Sequence, residues 1–470
     1  MRRRAAALLL WLAALLPAHI GSPDVFQEGQ AGPYKILVTI RPPLVIPGVA
    51  DVEVRTSATD VGEVRIAPLP LTGEAAKFAP AADLATPSRD GDRGAFSGQL
   101  WMMTSGSWQV RVRVDGARGR GEMSVPVAAV ARSTQSMQTP LAVALSLLAA
   151  VLVTGLVSIM GAAVRQASLA PGDEPDAPRR GRARIAMGIT GAIVAALLVM
   201  GNRWWQAEAN AYDRYIYKAL AMQPAVNAAG RLELRISDPG WLRSRALDDF
   251  IPDHTHLMHL FVVRLPDLNA VWHLHPRRED AGLFAHDLPA MPAGRYQLYA
   301  DVVHANGLAE TMAAELELTA PVAPGKALEG DDSHGDLAIP SPAIRFAGNT
   351  APVYATRRPV SFTFTLHAPG GEPARDAELY MGMPGHAMFL RKDRGVFAHV
   401  HPGGNVAMAA LALTREAQAD PHAMHRMADS ASLATASFPY GFPSPGDYRI
   451  FVQMKRAGKV ETASFDVTAR

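Results

Sequence analysis

The sequence predicts a mainly β protein: three β-sandwich modules of immunoglobulin- or cupredoxin-like type, two transmembrane helices, and an N-terminal signal segment. Three observations carry this. A strand-turn-strand pattern occurs three times, two apolar runs are long enough to cross a bilayer, and the N-terminus is basic and then apolar. At 470 residues the chain has room for about three domains, each with its own core.

The first 18 residues have the parts of a secretory signal: Met1-Arg2-Arg3-Arg4, an apolar run from Ala5 to Leu16, then Pro17-Ala18. Cleavage there would leave His19 first, where a free amine and an imidazole chelate copper together. Residues 19–130 read as the first β module, with short strands at Tyr34 to Ile40, Val49 to Arg55 and Trp108 to Val114. A transmembrane helix is expected over 139–164, where Leu141 to Val164 carries no charge, and a second over 185–201, from Ile185 to Gly201. Between them, 165–184 holds Arg165, Arg179, Arg180, Arg182 and Arg184, which the positive-inside rule places in the cytoplasm. The three modules then face the periplasm or cell exterior, and Trp204 and Trp205 fall at the membrane interface.

After a connector, 202–227, the second module is expected over 228–320, a Pro-, Gly- and Asp-rich linker over 321–340, and the third module over 341–470. The repeat that defines them is a hairpin. Gly106-Ser107-Trp108 leads into alternating apolar positions to Val114; Gly294-Arg295-Tyr296 leads into Leu298, Ala300 and Val302; Gly446-Asp447-Tyr448 leads into Ile450 and Val452. Many β-sandwiches end in such hairpins, so the repeat speaks for architecture and not for chemistry.

Lys plus Arg number 46 and Asp plus Glu 44, so there is no basic field to attract nucleic acid, and none is expected as a partner. Cysteine is absent, which removes disulfides, thiolate metal sites and Cys nucleophiles. His, Met, Asp and Glu remain as side-chain metal ligands.

Fourteen of the fifteen histidines lie after residue 253. In the second module His259 opens the run to Arg264, a turn follows, and Ala270 to His275 ends in His273-Leu274-His275-Pro276. In the third, His386 opens the run to Arg391, a turn follows, and Val396 to His401 ends in His399-Val400-His401-Pro402. Pairing Arg264 with Ala270 sets His259 opposite His275, and pairing Arg391 with Val396 sets His386 opposite His401. Residues two apart on a strand, and residues directly opposite, point to one face, so each hairpin presents three imidazoles together. Opposed Cβ atoms about 5 Å apart let ring nitrogens converge on one ion at about 2 Å. A single His-x-His is more often a hydrogen-bonded pair than a ligand pair; two copies in one register, each with a third His, argue for metal.

The expected ligands are therefore His259, His273 and His275 in one site and His386, His399 and His401 in the other. His304, on the strand after Tyr296, is a candidate to complete the first. His254 and His256 share a face if extended, but His256 and His259 have opposite parity, so they join only if the chain bends. His286, His334 and His367 are isolated and suit surface or core roles. Met381, Met383, Met388, Met408 and the His422-Ala423-Met424-His425-Arg426-Met427 stretch, inside an insertion from Thr414 to Leu433, suit Cu(I), although methionines more commonly fill cores. Copper is the expected metal from the Irving-Williams order, with zinc and nickel as alternatives.

The stretch from Asp267-Leu268 to His275-Pro276, Gly294 to Glu310, and Gly21-Ser22-Pro23-Asp24 with Arg41-Pro42-Pro43 resemble a family of bacterial envelope proteins. In it, His-x-His-Pro modules follow a membrane-anchored β domain similar to YtkA-like and FixH-like domains. A looser similarity, of composition and compartment, is to copper-resistance proteins of the CopC type. The resemblance implies an anchored β protein of the envelope and identifies no reaction.

The expected function is non-enzymatic: binding of a transition-metal ion for sequestration, sensing or transfer, with the cytoplasmic-membrane bilayer and an unspecified envelope protein as the other partners. The rivals are a three-histidine metal hydrolase or copper oxidase, for which the sequence offers no convincing general base and Asp253 and Asp301 are candidates only by proximity, and an adhesion or scaffold protein.

Overall fold

The computed structural model describes residues 19–470 apart from 21–22, 79, 88–93, 135–136, 171, 243, 329, 332–340, 347–352 and 417–432. The expected signal segment and the His/Met-rich stretch 422–427 lie outside the described residues. Strands make up 46% of the chain and helices 19%. The chain forms two compact units, Arg132–Tyr217 and the remainder, in which all the sheets lie.

The smaller unit is a helical hairpin, α1 (Thr139–Gln166) and α2 (Ala177–Tyr212). Both helices are long and apolar enough to cross a membrane, with mean hydropathy 2.5 and 2.0 over their most apolar windows. They approach closely at Gly161, where an added Cβ would lie 2.6 Å from Met187 Sδ. The expected loop 165–184 is shorter than its sequence suggested. Asp176 caps α2 by accepting from the Arg179 backbone N–H at 2.8 Å, and a proline in the first turn fits there, so the arginines from 179 onward form its opening turns. Beyond the first-turn Pro178 no proline interrupts α2, which continues past Gly201 into the expected connector.

In the larger unit the first module is one eight-stranded order running from Val25–Ala31 to Gly119–Ala129, with Ile36, Val38, Val52, Val64, Ile66 and Val112 buried. The second module is two four-stranded sheets. One contains Ala221–Val226 paired with Arg231–Ser237, so the module begins before residue 228; that first strand carries Pro224 and lacks clear alternation. The other has the order Val271–Leu274, His259–Arg264, Gly294–Val303, Ala309–Leu318. The third module repeats this order as Val396–Val400, His386–Arg391, Gly446–Arg456, Lys459–Ala469, packed on a three-stranded sheet.

These two corresponding sheets are buried on both faces. Leu260, Val262, Trp272 and Leu274 fill the second module's own core. The residues between them, Phe261, Val263 and Val271, join Tyr299 against Met388, Leu390, Phe397 and Phe451 of the third module. Tyr299 and Phe397 stack with centroids 4.1 Å apart. Two-sided burial explains why the strands read as nearly continuous apolar runs. The histidines lie on this inter-module face, in line with Phe261 and Phe397.

Candidate metal centre

The hairpin registers place the imidazoles. Leu260 pairs with Leu274 and Val263 with Val271, which sets His259 across from His275; Ala387 pairs with Val400, which sets His386 across from His401. The ligand atoms of His259, His273 and His275 all lie within 4.8 Å of one another. His386 and His401 form a second such group with His254, which comes from the second module. His399 adjoins this group without being one of its three members, its Nε2 3.1 Å from His386 Nδ1 and its ring centroid 4.4 Å from that of His401. Because the sheets face each other, the two groups adjoin: His259 and His399 are 5.6 Å apart by centroid, and His273 and His386 6.0 Å.

Each hairpin histidine turns one ring nitrogen outward to a protein oxygen. His259 Nε2 and His386 Nε2 meet the carbonyls of Asp253 at 3.0 Å and Tyr380 at 3.1 Å. His273 Nδ1 meets Gln453 Oε1 at 3.3 Å, and His399 Nδ1 lies 3.4 Å from Asp301 Oδ2, the residue at the corresponding place on the other module's central strand. His275 Nδ1 meets Asp331 Oδ1 at 3.2 Å and His401 Nδ1 the Val406 carbonyl at 3.3 Å. Carbonyl and ionised carboxylate oxygens only accept, so the outer nitrogens carry the protons and the inner ones are bare lone pairs. The lone pairs of His259 Nδ1 and His273 Nε2 then face each other at 3.0 Å, and those of His386 Nδ1 and His399 Nε2 at 3.1 Å. The inner nitrogens of His254, His275 and His401 are buried without a hydrogen-bond partner among the described residues. Two lone pairs in contact repel unless something electrophilic sits beside them, and nitrogens bound at about 2 Å to one tetrahedral ion stand about 3.3 Å apart.

Burial keeps the cluster neutral. Desolvation, reinforced by neighbouring imidazoles, holds His273, His386, His399 and His401 well below the ordinary histidine range, lowers His259 and takes His275 down to about 3. Burial pushes the Asp301 carboxyl up to about 6. Asp331, despite burial, is held below the usual carboxylate range by hydrogen bonds from His275 and His286. Neutral imidazoles with a fixed tautomer are the form that binds metal.

A family model described as a domain of unknown function, DUF8832, matches residues 210–320 and 346–470, half of the chain. The chain belongs to the DUF8832 family. The matched stretches contain both histidine hairpins and the strands that pair with them. No curated protein matches the chain. Similar solved structures include an engineered protein, 19% identical over 20% of each chain with a TM-score of 0.16, of which this chain therefore spans a fifth. Others are a tetra-tandem repeat from the extending region of a large adhesion protein (9% identity, 96% of this chain and 93% of that one, TM-score 0.16) and dimeric latent PorU from Porphyromonas gingivalis (10%, 95% and 34%, 0.15). Scores at this level carry no argument about this DUF8832 chain.

The structure brings His259, His273, His275, His386, His399 and His401 together and leaves His304 out. Both His304 nitrogens face carboxylates, Nδ1 to Asp249 at 2.7 Å and Nε2 to Glu310 at 2.9 Å, and Arg245 neutralises Glu310 in turn. Burial opposes a charge on His304, but these carboxylates prevail and raise its pKa. Met388 fills the inter-module core and Met383 is buried. The cluster also contains residues that strand parity and isolation hid. His254 and His256 sit in a tight bend, and Asp331, from the expected linker, bridges His275 and His286. Their sequence signal was the clustering of His254, His256 and His259, and an acidic run in the linker.

Proposed function

We propose that this DUF8832 protein is a membrane-anchored, extracytoplasmic metal-binding protein that holds two transition-metal ions, copper by preference, in the histidine cluster between its second and third modules. The observation that supports it most is that all six hairpin imidazoles turn one ring nitrogen to a protein oxygen, which leaves the other for the cluster. Imidazole-only donors without thiolate favour Cu(II) by the Irving-Williams order, with zinc and nickel behind it. Burial of the donors, with His259, His273, His275, His386 and His401 at most 3% exposed, suits retention and transfer better than turnover of a substrate. The arginines at the α1–α2 connection favour a cytoplasmic connection with the modules outside. The role would be sequestration, sensing or delivery of the ion to an envelope partner.

Full-length protein in detergent, incubated separately with Cu(II), Zn(II) and Ni(II) and freed of loose metal, tests this reading. Two tightly held equivalents of copper per chain are expected, with His273→Ala and His399→Ala each weakening one. Failure of the wild-type chain to retain any of the three metals would overturn it.

A further inference from the structure

The turn Asp253–His256 precedes the first histidine strand, and the third module has its counterpart in Tyr380–Met383. Each is closed by two backbone hydrogen bonds: Asp253 N–H to the His256 carbonyl at 2.8 Å and the reverse at 2.9 Å, Tyr380 N–H to the Met383 carbonyl at 2.7 Å and the reverse at 3.1 Å. Each needs two successive residues with positive φ. The third module uses Met381 at 51° and Gly382 at 79°; the second uses His254 at 47° and Thr255 at 73°. A β-branched residue in that region is an outlier, strain that persists where the surrounding structure requires it. What the turn delivers is His254, whose ring lies 4.8 Å from His401 and 5.1 Å from His386 by centroid and whose Nε2 is buried without a partner among the described residues. His256 stacks on His275 at 4.0 Å.

We propose that this turn serves both ions: His254 is a fourth imidazole for the third-module ion, donated across the interface, while His256 covers the second-module ion. The inference rests on the metal-binding reading and makes the two positions unequal. The third module's own turn places Met381 and Met383 where the second has imidazoles, so of the two turns the second module's alone offers extra nitrogen donors. An ion with four imidazoles from two modules ties those modules together. The turn is also where the cluster meets solvent: Thr255 is exposed and His254 and His256 half-buried, whereas His259, His273, His275, His386 and His401 are at most 3% exposed. An incoming ion therefore meets this turn before the buried donors.

Copper titration of full-length wild type, His254→Ala and His254→Met, with coordinating imidazoles counted by electron paramagnetic resonance, tests the proposal. In His254→Ala one of two Cu(II) ions should lose at least tenfold in affinity and one coordinated imidazole, the other being unchanged. His254→Met, which copies the residue at position 381, should lose Cu(II) affinity likewise but retain Cu(I), and it serves if the Ala variant folds poorly. If both variants bind two Cu(II) ions with wild-type affinity and imidazole count, the cross-module ligand is wrong although metal binding stands. If the wild-type chain binds no metal, both readings fall.

Discussion

His275 reaches the cluster with its Nδ1 proton held by Asp331, and the same carboxylate takes His286 Nε2 at 2.9 Å. Such outer partners fix ring orientation and raise donor strength, and losing one typically costs about 10–100-fold in metal affinity. Asp331→Asn should weaken the second-module ion by that order and leave the third-module ion as it was, as measured by competitive chelator titration. Equal weakening of both ions would mean that Asp331 acts on the whole cluster. The convergence of the six hairpin imidazoles was legible because period-two alternation and a two-residue register argument suffice to aim them. Asp331 was not, and His254 only on condition of a bend, since they depend on a linker folding back and on a positive-φ turn, neither of which leaves a periodic trace. His304 showed the limit of parity: it lies on the expected strand's continuation, but nearby carboxylates claim both its nitrogens.

At the scale of elements, the two histidine hairpins stand or fall with the apolar seam beside them. Phe261 is fully buried, stacked on His273 at 4.1 Å and packed against Phe397 of the other module at 5.5 Å. Phe261→Ala should cost about 3–5 kcal/mol of stability. Because the cavity would open between the modules, both proposed ions should also bind less tightly, read from denaturant unfolding and from copper titration of the same sample. Loss of stability with both affinities intact would show that the donor geometry does not depend on the seam. The hairpins, their registers and the helical hairpin were readable in the sequence. The full extent of α2 was not, because an arginine-rich loop and the first turns of a helix have the same composition, and only the Asp176 cap distinguishes them.

For the whole molecule, the modules cannot be treated as separable. Phe26 of the first module is buried in the third module's core, and Asn405, just beyond the His401 turn, accepts from the Phe26 backbone N–H at 2.8 Å. Residues 228–470 alone would lack both this plug and the strand Ala221–Val226, so the full chain is the proper sample. Its stability should depend on pH in a set direction. Burial depresses the cluster histidines below about 6.5, so the unfolded chain binds more protons than the folded one once pH drops under that value. The contribution is fully present above pH about 6.5 and is lost as pH falls toward the folded-state values, near 3 for His275, at about 1.4 kcal/mol per pH unit for each proton taken up. Metal-free protein should therefore melt at progressively lower temperature from pH 6.5 to 4, and copper, which binds only the folded neutral cluster, should raise the melting temperature most near pH 7. A melting temperature that is flat over this range would contradict buried neutral imidazoles.

The most direct measurement of the central claim is the metal content of the untagged full-length protein, purified without added chelator and then titrated with Cu(II). Two retained copper ions per chain, with imidazole nitrogens dominating the paramagnetic spectrum, are expected; a wild-type chain that folds normally and retains none would contradict it.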